Sequence, residues 1–446
     1  MKWVYQSFAM AGVLALILVV GKLAPSSPPM MESWPLRPQN CTWLQAAIDA
    51  APEGATIHIP TGICVGNLIV RKSVRLEGSG PEATSLEPLV GFRNSEGLNP
   101  IITIESSPGQ AITLELLNLT MRQPPQPPQI PFNYGSFDEA VGVQVEAPGD
   151  SVSILARRTY WTRLNTDILS RSRLRRLEIR ESTFERNFDL GATALEVEIV
   201  RNLYIENGSV GVYGQRLQVM NNTVIGRTIS SGISVNPQAE GVAEVLNNLV
   251  VASSSGISLQ QPDRQRVRFI VRKNRLINNA VGIWLSAHDT RHTHFDVLIE
   301  ENNIARSNTG IILFFDSFKA GEDLRGAIRL RRNHITMSEL DYVHGIGRLQ
   351  FYGNGIDVSI FGIVAWPEED PLTIELTENR IDYNEKWGIA INQQEDIDSP
   401  DRYRCVISGE IDGKAIIPPK IIGRDNIIRE NEKGDLCPAD YPWPPG

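Results

Sequence analysis

The sequence is poor in several things, and each shortage closes off a class of protein. Four cysteines (Cys41, Cys64, Cys405 and Cys437) in 446 residues are too few for a disulfide-built scaffold. None stands in a C-x-x-C pair, so the usual zinc and thiol-redox spacings are missing. A basic excess is missing too: 43 Lys and Arg face 52 Asp and Glu, a net charge of −9. That balance argues against nucleic acid, whose phosphates demand a positive footprint. Histidine is scarce, at six residues. What remains is 41 % hydrophobic and 21 % charged, which excludes wholesale disorder.

The front of the chain is different from the rest. Lys2 precedes an apolar run from about Phe8 to Gly21. The run is short for roughly 30 Å of hydrocarbon and suits a signal-peptide core. Residues 1–24 are therefore expected to be a signal peptide or an N-terminal membrane anchor, with membrane attachment through that segment in the second case. PSSPP begins a linker over residues 25–40. The body is then expected outside the cytoplasm: secreted, periplasmic, or anchored facing outward. There the cysteines can pair. Three connectivities are open; Cys41 with Cys64 and Cys405 with Cys437 is the one that staples each end locally.

The body repeats. Residues 245–259 read VLNNLVVASSSGISL, 271–285 VRKNRLINNAVGIWL, and 299–313 IEENNIARSNTGIIL. An anchoring asparagine recurs at Asn202, Asn222, Asn248, Asn274, Asn302, Asn333 and Asn379. Apolar residues stand three and five before it and two after it, as at Val271, Phe269 and Leu276. A glycine follows at Gly211, Gly232, Gly256, Gly282, Gly310 and Gly388. Two-residue apolar spacing means strands, and stretches this short bury nothing until stacked on copies of themselves. The asparagine is expected at a left-handed turn, its amide bonding to the next coil in a ladder. The glycine is expected to let the chain bend. Three short strands and three turns in roughly 20–28 residues describe one coil of a parallel β-helix. Propeller and leucine-rich frames fit badly.

This pattern resembles the right-handed parallel β-helix repeat of the pectin-lyase-like superfamily. The stretch from Thr42 to Gly80, TWLQAAIDAAPEGATIHIPTGICVGNLIVRKSVRLEGSG, resembles the opening of these proteins, where an amphipathic helix caps the open end. Thr42 is a candidate N-cap, and Leu44, Ala47, Ile48 and Ala51 make one apolar face. The expected fold is all-β, a right-handed parallel β-helix over residues 41–437 with a short N-terminal capping helix, followed by a tail at 438–446. The resemblance implies the fold closely and the activity loosely, since lyases, hydrolases, epimerases and non-catalytic adhesins share it.

Long departures from the repeat fall at 122–140, 286–296, 315–326, 339–361 and 392–420. Most follow the glycine-led strand and are expected to wall a groove along it. On that strand Ile257, Ile283 and Ile311 point in, so Ser258, Trp284 and Ile312 point out. Tyr213, Ser234, Val364 and Ala390 are expected in the same outward slot. Asn236, Gln260, Ser286, Phe314, Trp366 and Asn392 follow one step on. Aromatics beside amides and hydroxyls suit a sugar. Tyr213, Trp284, Phe314, Asp316 and Trp366 are the candidate substrate-binding residues.

Chemistry is harder to find. The expected outward slots hold no pair of carboxylates, which argues against hydrolysis there. The densest polar cluster is SAHDTRHTHFD at 286–296. It reads first as an exposed polar loop. Its catalytic reading takes His288 or His292 as a base, with Asp289 and Arg291 beside it. His288, His292 and His294 also have a spacing open to a transition metal, yet no metal or cofactor is assigned. The expected function is binding of a polysaccharide or other envelope component, with lyase or epimerase action as its catalytic form. The alternative is a structural or protein-interaction rod.

Overall fold

The computed structural model describes residues 38–124, 140–226, 230–262, 266–288, 293–317, 324–338, 353–362, 372–394, 410–411, 414–415, 420–439, 441 and 443. From Gln39 onward the chain forms one compact unit. It is a parallel β-helix, as expected. One coil runs Arg266–Arg272, then Arg275–Ile277, then Val281–His288. Each strand pairs in parallel with its counterpart one coil on: Thr293–Glu300, Asn303–Ala305 and Thr309–Ser317. The short middle strands build a 14-stranded sheet.

The alternation read from the sequence decides what is buried. Phe269, Val271, Leu276, Ile283 and Leu285 are all fully buried and belong to one core that runs from Cys41 to Tyr441. Inside it Trp161, Phe184 and Tyr204 stack along the axis, with ring centroids 5.7 and 4.7 Å apart. The outer face of the strands before the ladder carries ion pairs. Arg176 meets Glu178 at 2.7 Å, and Arg180 meets Glu198. The arginine-rich run at 171–180 is thus a solvated face. Each such pair contributes at most about 1 kcal/mol.

The asparagine ladder is continuous. The Nδ2 of Asn202 donates to Asn222, Asn222 to Asn248, Asn248 to Asn274, Asn274 to Asn302, Asn302 to Asn333, Asn333 to Asn379, and Asn379 to Asn426, all at 3.0–3.1 Å. A second row, of asparagine and serine, lies five residues after the anchors Asn248, Asn274, Asn333, Asn379 and Asn426. Asn279 accepts from the backbone of Ser253, Asn384 from Ser338, and Asn431 from Asn384.

Two expectations about turns are corrected. The left-handed residue is not the asparagine but the one before it: Arg201, Asn221, Asn247, Lys273, Glu301, Arg332 and Glu378 have φ near +50 to +60°. These side chains face solvent, and a left-handed residue costs about 1–2 kcal/mol. The anchor keeps ordinary φ so that its amide points inward along the stack. The glycine row is likewise about space rather than bending. A Cβ on Gly282 would lie 2.4 Å from both the Gly310 carbonyl oxygen and Ile304 Cγ2.

The helix spans Thr42–Ala50 and buries Leu44 and Ile48, with Ala47 and Ala51 packed beside them. Its cap position is Cys41 rather than Thr42, and the Thr42 N–H donates to Asn40 Oδ1 at 3.1 Å. Cys41 is bonded to Cys64, with 5.3 Å between their Cα atoms. Cys437 is also disulfide-bonded. Cys405 lies outside the described residues.

Candidate functional site

The strands after the row of asparagine and serine carry the outward rows, and their register differs from the sequence reading in two coils. Gly211, Ser234, Ser258, Trp284, Ile312, Asp357 and Ala390 form one row. Thr193, Tyr213 and Asn236 belong to the next, which continues with Gln260, Ser286, Phe314, Ser359 and Asn392. Tyr213 therefore sits beside Asn236 rather than Ser234. The coil of Asn207 enters its strand two residues early, so Ser209 takes the place glycine holds elsewhere. In the later coil the leading glycine is Gly355, so Asp357 and Ser359 occupy the slots expected for Val364 and Trp366. Both of those lie outside the described residues.

This register puts a carboxylate where none was expected. Asp357 is fully buried and accepts from Asn354 Nδ2 at 2.8 Å and Ser359 Oγ at 2.6 Å. Lys386 nearby is held below the usual lysine range, first by burial and then by Lys433, with Asp357 opposing.

The face divides into two halves. Thr193, Tyr213, Ser234, Asn236, Ser258, Gln260 and Trp284 are partly exposed. Ser286, Ile312, Phe314, Asp357, Ser359 and Ala390 are buried. Phe314, at 8 % exposure, packs with Ile312 and Val281, and Trp284 leans on it at 6.0 Å between centroids. Phe314 is thus an anchor for Trp284 rather than a free surface. In the open half the Asn236 Nδ2 donates to Gln260 Oε1 at 3.1 Å, tying two coils.

At the far end of the open half stands Asp189, which periodicity did not single out. Its Oδ1 accepts the Gly191 N–H at 3.1 Å. Gly191 and Gly211 flank the carboxylate: a Cβ on Gly191 would lie 3.2 Å from Asp189 Oδ2, and one on Gly211 3.3 Å from Oδ1 and 3.8 Å from the Tyr213 ring. The carboxylate and the Tyr213 ring therefore meet over Gly211, at the head of the row that leads to Trp284. Burial pushes Asp189 up to about 6, against backbone N–H donors from Gly191, Leu190 and Gly211. Burial and then Asp189 raise Tyr213 in turn. One coil below, Asp167 points into the core at 1 % exposure. Neither of its oxygens, nor the Tyr204 hydroxyl, has a hydrogen-bond partner among the described residues. Burial and then Asp189 hold Asp167 well above the carboxylate range. The signal in sequence was faint: an aspartate at the position glycine holds in later coils.

His288 and His294 stand on two different strands. His288 ends one strand, in register with Asp316 of the next coil. His294 lies in Thr293–Glu300, between Arg266 and Arg325 in register. The stretch 286–296 is mostly strand, with Asp289, Arg291 and His292 outside the described residues. Among the described residues no three metal-binding side chains come together. No helix among them is long and apolar enough to cross a membrane.

No family model and no curated protein matches the sequence. Among solved structures the chain is similar to the catalytic unit of a GH87 α-1,3-glucanase from Streptomyces thermodiastaticus, with 13 % identity and a TM-score of 0.49, over 94 % of this chain and 70 % of that one. It is similar to the A-module of the Azotobacter vinelandii mannuronan C-5 epimerase AlgE4, with 15 % identity and a TM-score of 0.47, over 91 % and 95 %. A third is the periplasmic alginate epimerase AlgG, with 14 % identity and a TM-score of 0.43, over 91 % and 81 %. The strand pairing itself defines the fold.

Proposed function

We propose that the protein binds a polysaccharide along the open half of the after-ladder sheet, from Tyr213 to Trp284. One observation carries this: partly exposed hydroxyls and amides (Ser234, Asn236, Ser258 and Gln260) stand in register between two aromatic side chains. Rings stack on the apolar faces of sugars while amides and hydroxyls bond their hydroxyl groups. Three coil steps from Gly211 to Trp284 span about 14 Å, the reach of a short oligosaccharide. The test is affinity electrophoresis of the full chain in gels carrying neutral and acidic glycans. Retardation is expected, and Trp284→Ala or Tyr213→Ala should abolish it with the melting temperature preserved. A chain that no glycan in a broad panel retards overturns the reading.

Export is part of the same proposal: the Cys41–Cys64 bond suits an oxidising compartment. Lyase or epimerase action would draw on His288, with Asp289, Arg291 and His292. Its test is release of altered oligosaccharides, lost on His288→Ala combined with His292→Ala. A protein-docking rod is favoured by a different feature. The turn Leu89–Phe92, closed by the Phe92 N–H on the Leu89 carbonyl at 3.1 Å, exposes Leu89, Val90 and Phe92. Such a rod would capture a protein partner and no glycan.

A further inference from the structure

The open half of the sheet has an electrostatic sign that bears on which glycan it takes. Its described residues are Thr193, Tyr213, Ser234, Asn236, Ser258, Gln260 and Trp284, with Asp189 at the head. Among them stands one carboxylate and no lysine or arginine. Asp189 is half-buried, and its carboxylate stands over two positions that lack side chains, Gly191 and Gly211, at the head of the row. No cation is among the groups that act on it. Asp167 faces it through the coil wall and Tyr213 lies alongside, the first an acid and the second a neutral phenol.

We propose that Asp189 makes this groove selective for uncharged glycans and turns away polyuronates. The inference rests on the binding reading above and names its ligand class. An uncharged sugar offers hydroxyl donors to the Asp189 carboxylate and hydroxyl acceptors to Asn236 and Gln260. A uronate carboxylate in the same place meets a like charge in a partly desolvated site, where such juxtaposition is costly. Because burial moves Asp189 up to about 6, the rejection switches on as pH rises through that value. Uronate carboxyls stay ionised on both sides of it.

The experiment uses the full chain. Binding to uncharged probes (laminarin, mannan, dextran) and acidic probes (polygalacturonate, alginate) is measured at about pH 5 and about pH 8, either side of the titration. Uncharged probes should bind equally at both. Polyuronate binding should weaken by about tenfold or more at the higher pH. Asp189→Asn, which keeps an acceptor for the Gly191 N–H, should restore polyuronate binding there. Polyuronate binding that ignores pH overturns the proposal with the wild-type chain alone, whatever the variant's fold. So does a pH effect that survives in Asp189→Asn. Should Trp284-dependent binding occur without discrimination, this inference falls and the binding reading stands. Should no probe bind, both fall.

Discussion

Asn274 Nδ2 donates to Asn302 Oδ1 at 3.0 Å across one coil, while the same amide donates to the Val245 carbonyl of the coil below at 2.8 Å. One side chain thus ties the coil below it to the coil above. Its Oδ1 in turn accepts from Asn248 N and Nδ2 at 2.9 and 3.0 Å.

Replacing Asn274 by alanine leaves several buried donors and acceptors unmatched. Each such group costs about 1–3 kcal/mol. Asn274→Ala should therefore lower the unfolding free energy by about 3 kcal/mol or more, whereas the outward-facing Arg275→Ala should change it by less than about 0.5 kcal/mol. Urea titration followed by circular dichroism checks the contrast.

The glycine row predicts a steric effect. Gly282→Ala places a methyl group 2.4 Å from a carbonyl oxygen and from Ile304 Cγ2. Overpacking of this kind costs about 1–3 kcal/mol. Ser258→Ala, on the open face, should be close to neutral. Thermal melts of the two variants distinguish a demand for space from general sensitivity of that strand.

Asp189 gives the chain a pH signature. Its folded value, about 6, lies above its ordinary 3.8, so the folded state holds the proton more tightly than the unfolded one. The contribution to stability is full below the ordinary value and is lost as pH rises through about 6. Melting temperature should fall over that window, and Asp189→Asn should flatten the fall. The upward shift of Asp167 acts in the same direction. A melting temperature that climbs between those limits would contradict the burial assigned to both groups.

The Cys41–Cys64 bond closes a loop of 23 residues. Cross-links of such span stabilise by about 3 kcal/mol through the unfolded chain. The double variant Cys41→Ser with Cys64→Ser should lose about that much, read as an earlier urea midpoint. The first coil and the capping helix should open first under hydrogen exchange, since the bond fixes the residue at the helix cap.

Spacing alone determined the coil. Apolar residues two apart, an asparagine between them and a glycine ahead of the next strand are local facts, and identical neighbours multiply them, so Phe269, Val271, Leu276 and Ile283 were legible as core. What lay outside the reach of periodicity was anything set by the neighbouring coil. The two-residue slip that moves Tyr213 beside Asn236 comes from how early the Asn207 coil enters its strand. The buried Asp357 depends on Gly355 aligning with Gly310. The raised Asp189 comes from its burial in the folded chain, against the backbone N–H groups of Gly191, Leu190 and Gly211. The left-handed φ falls on Lys273 rather than Asn274 because the anchor's amide must face the stack. Register, burial and field are sums over residues 20 to 50 positions apart, and only the folded chain performs that sum.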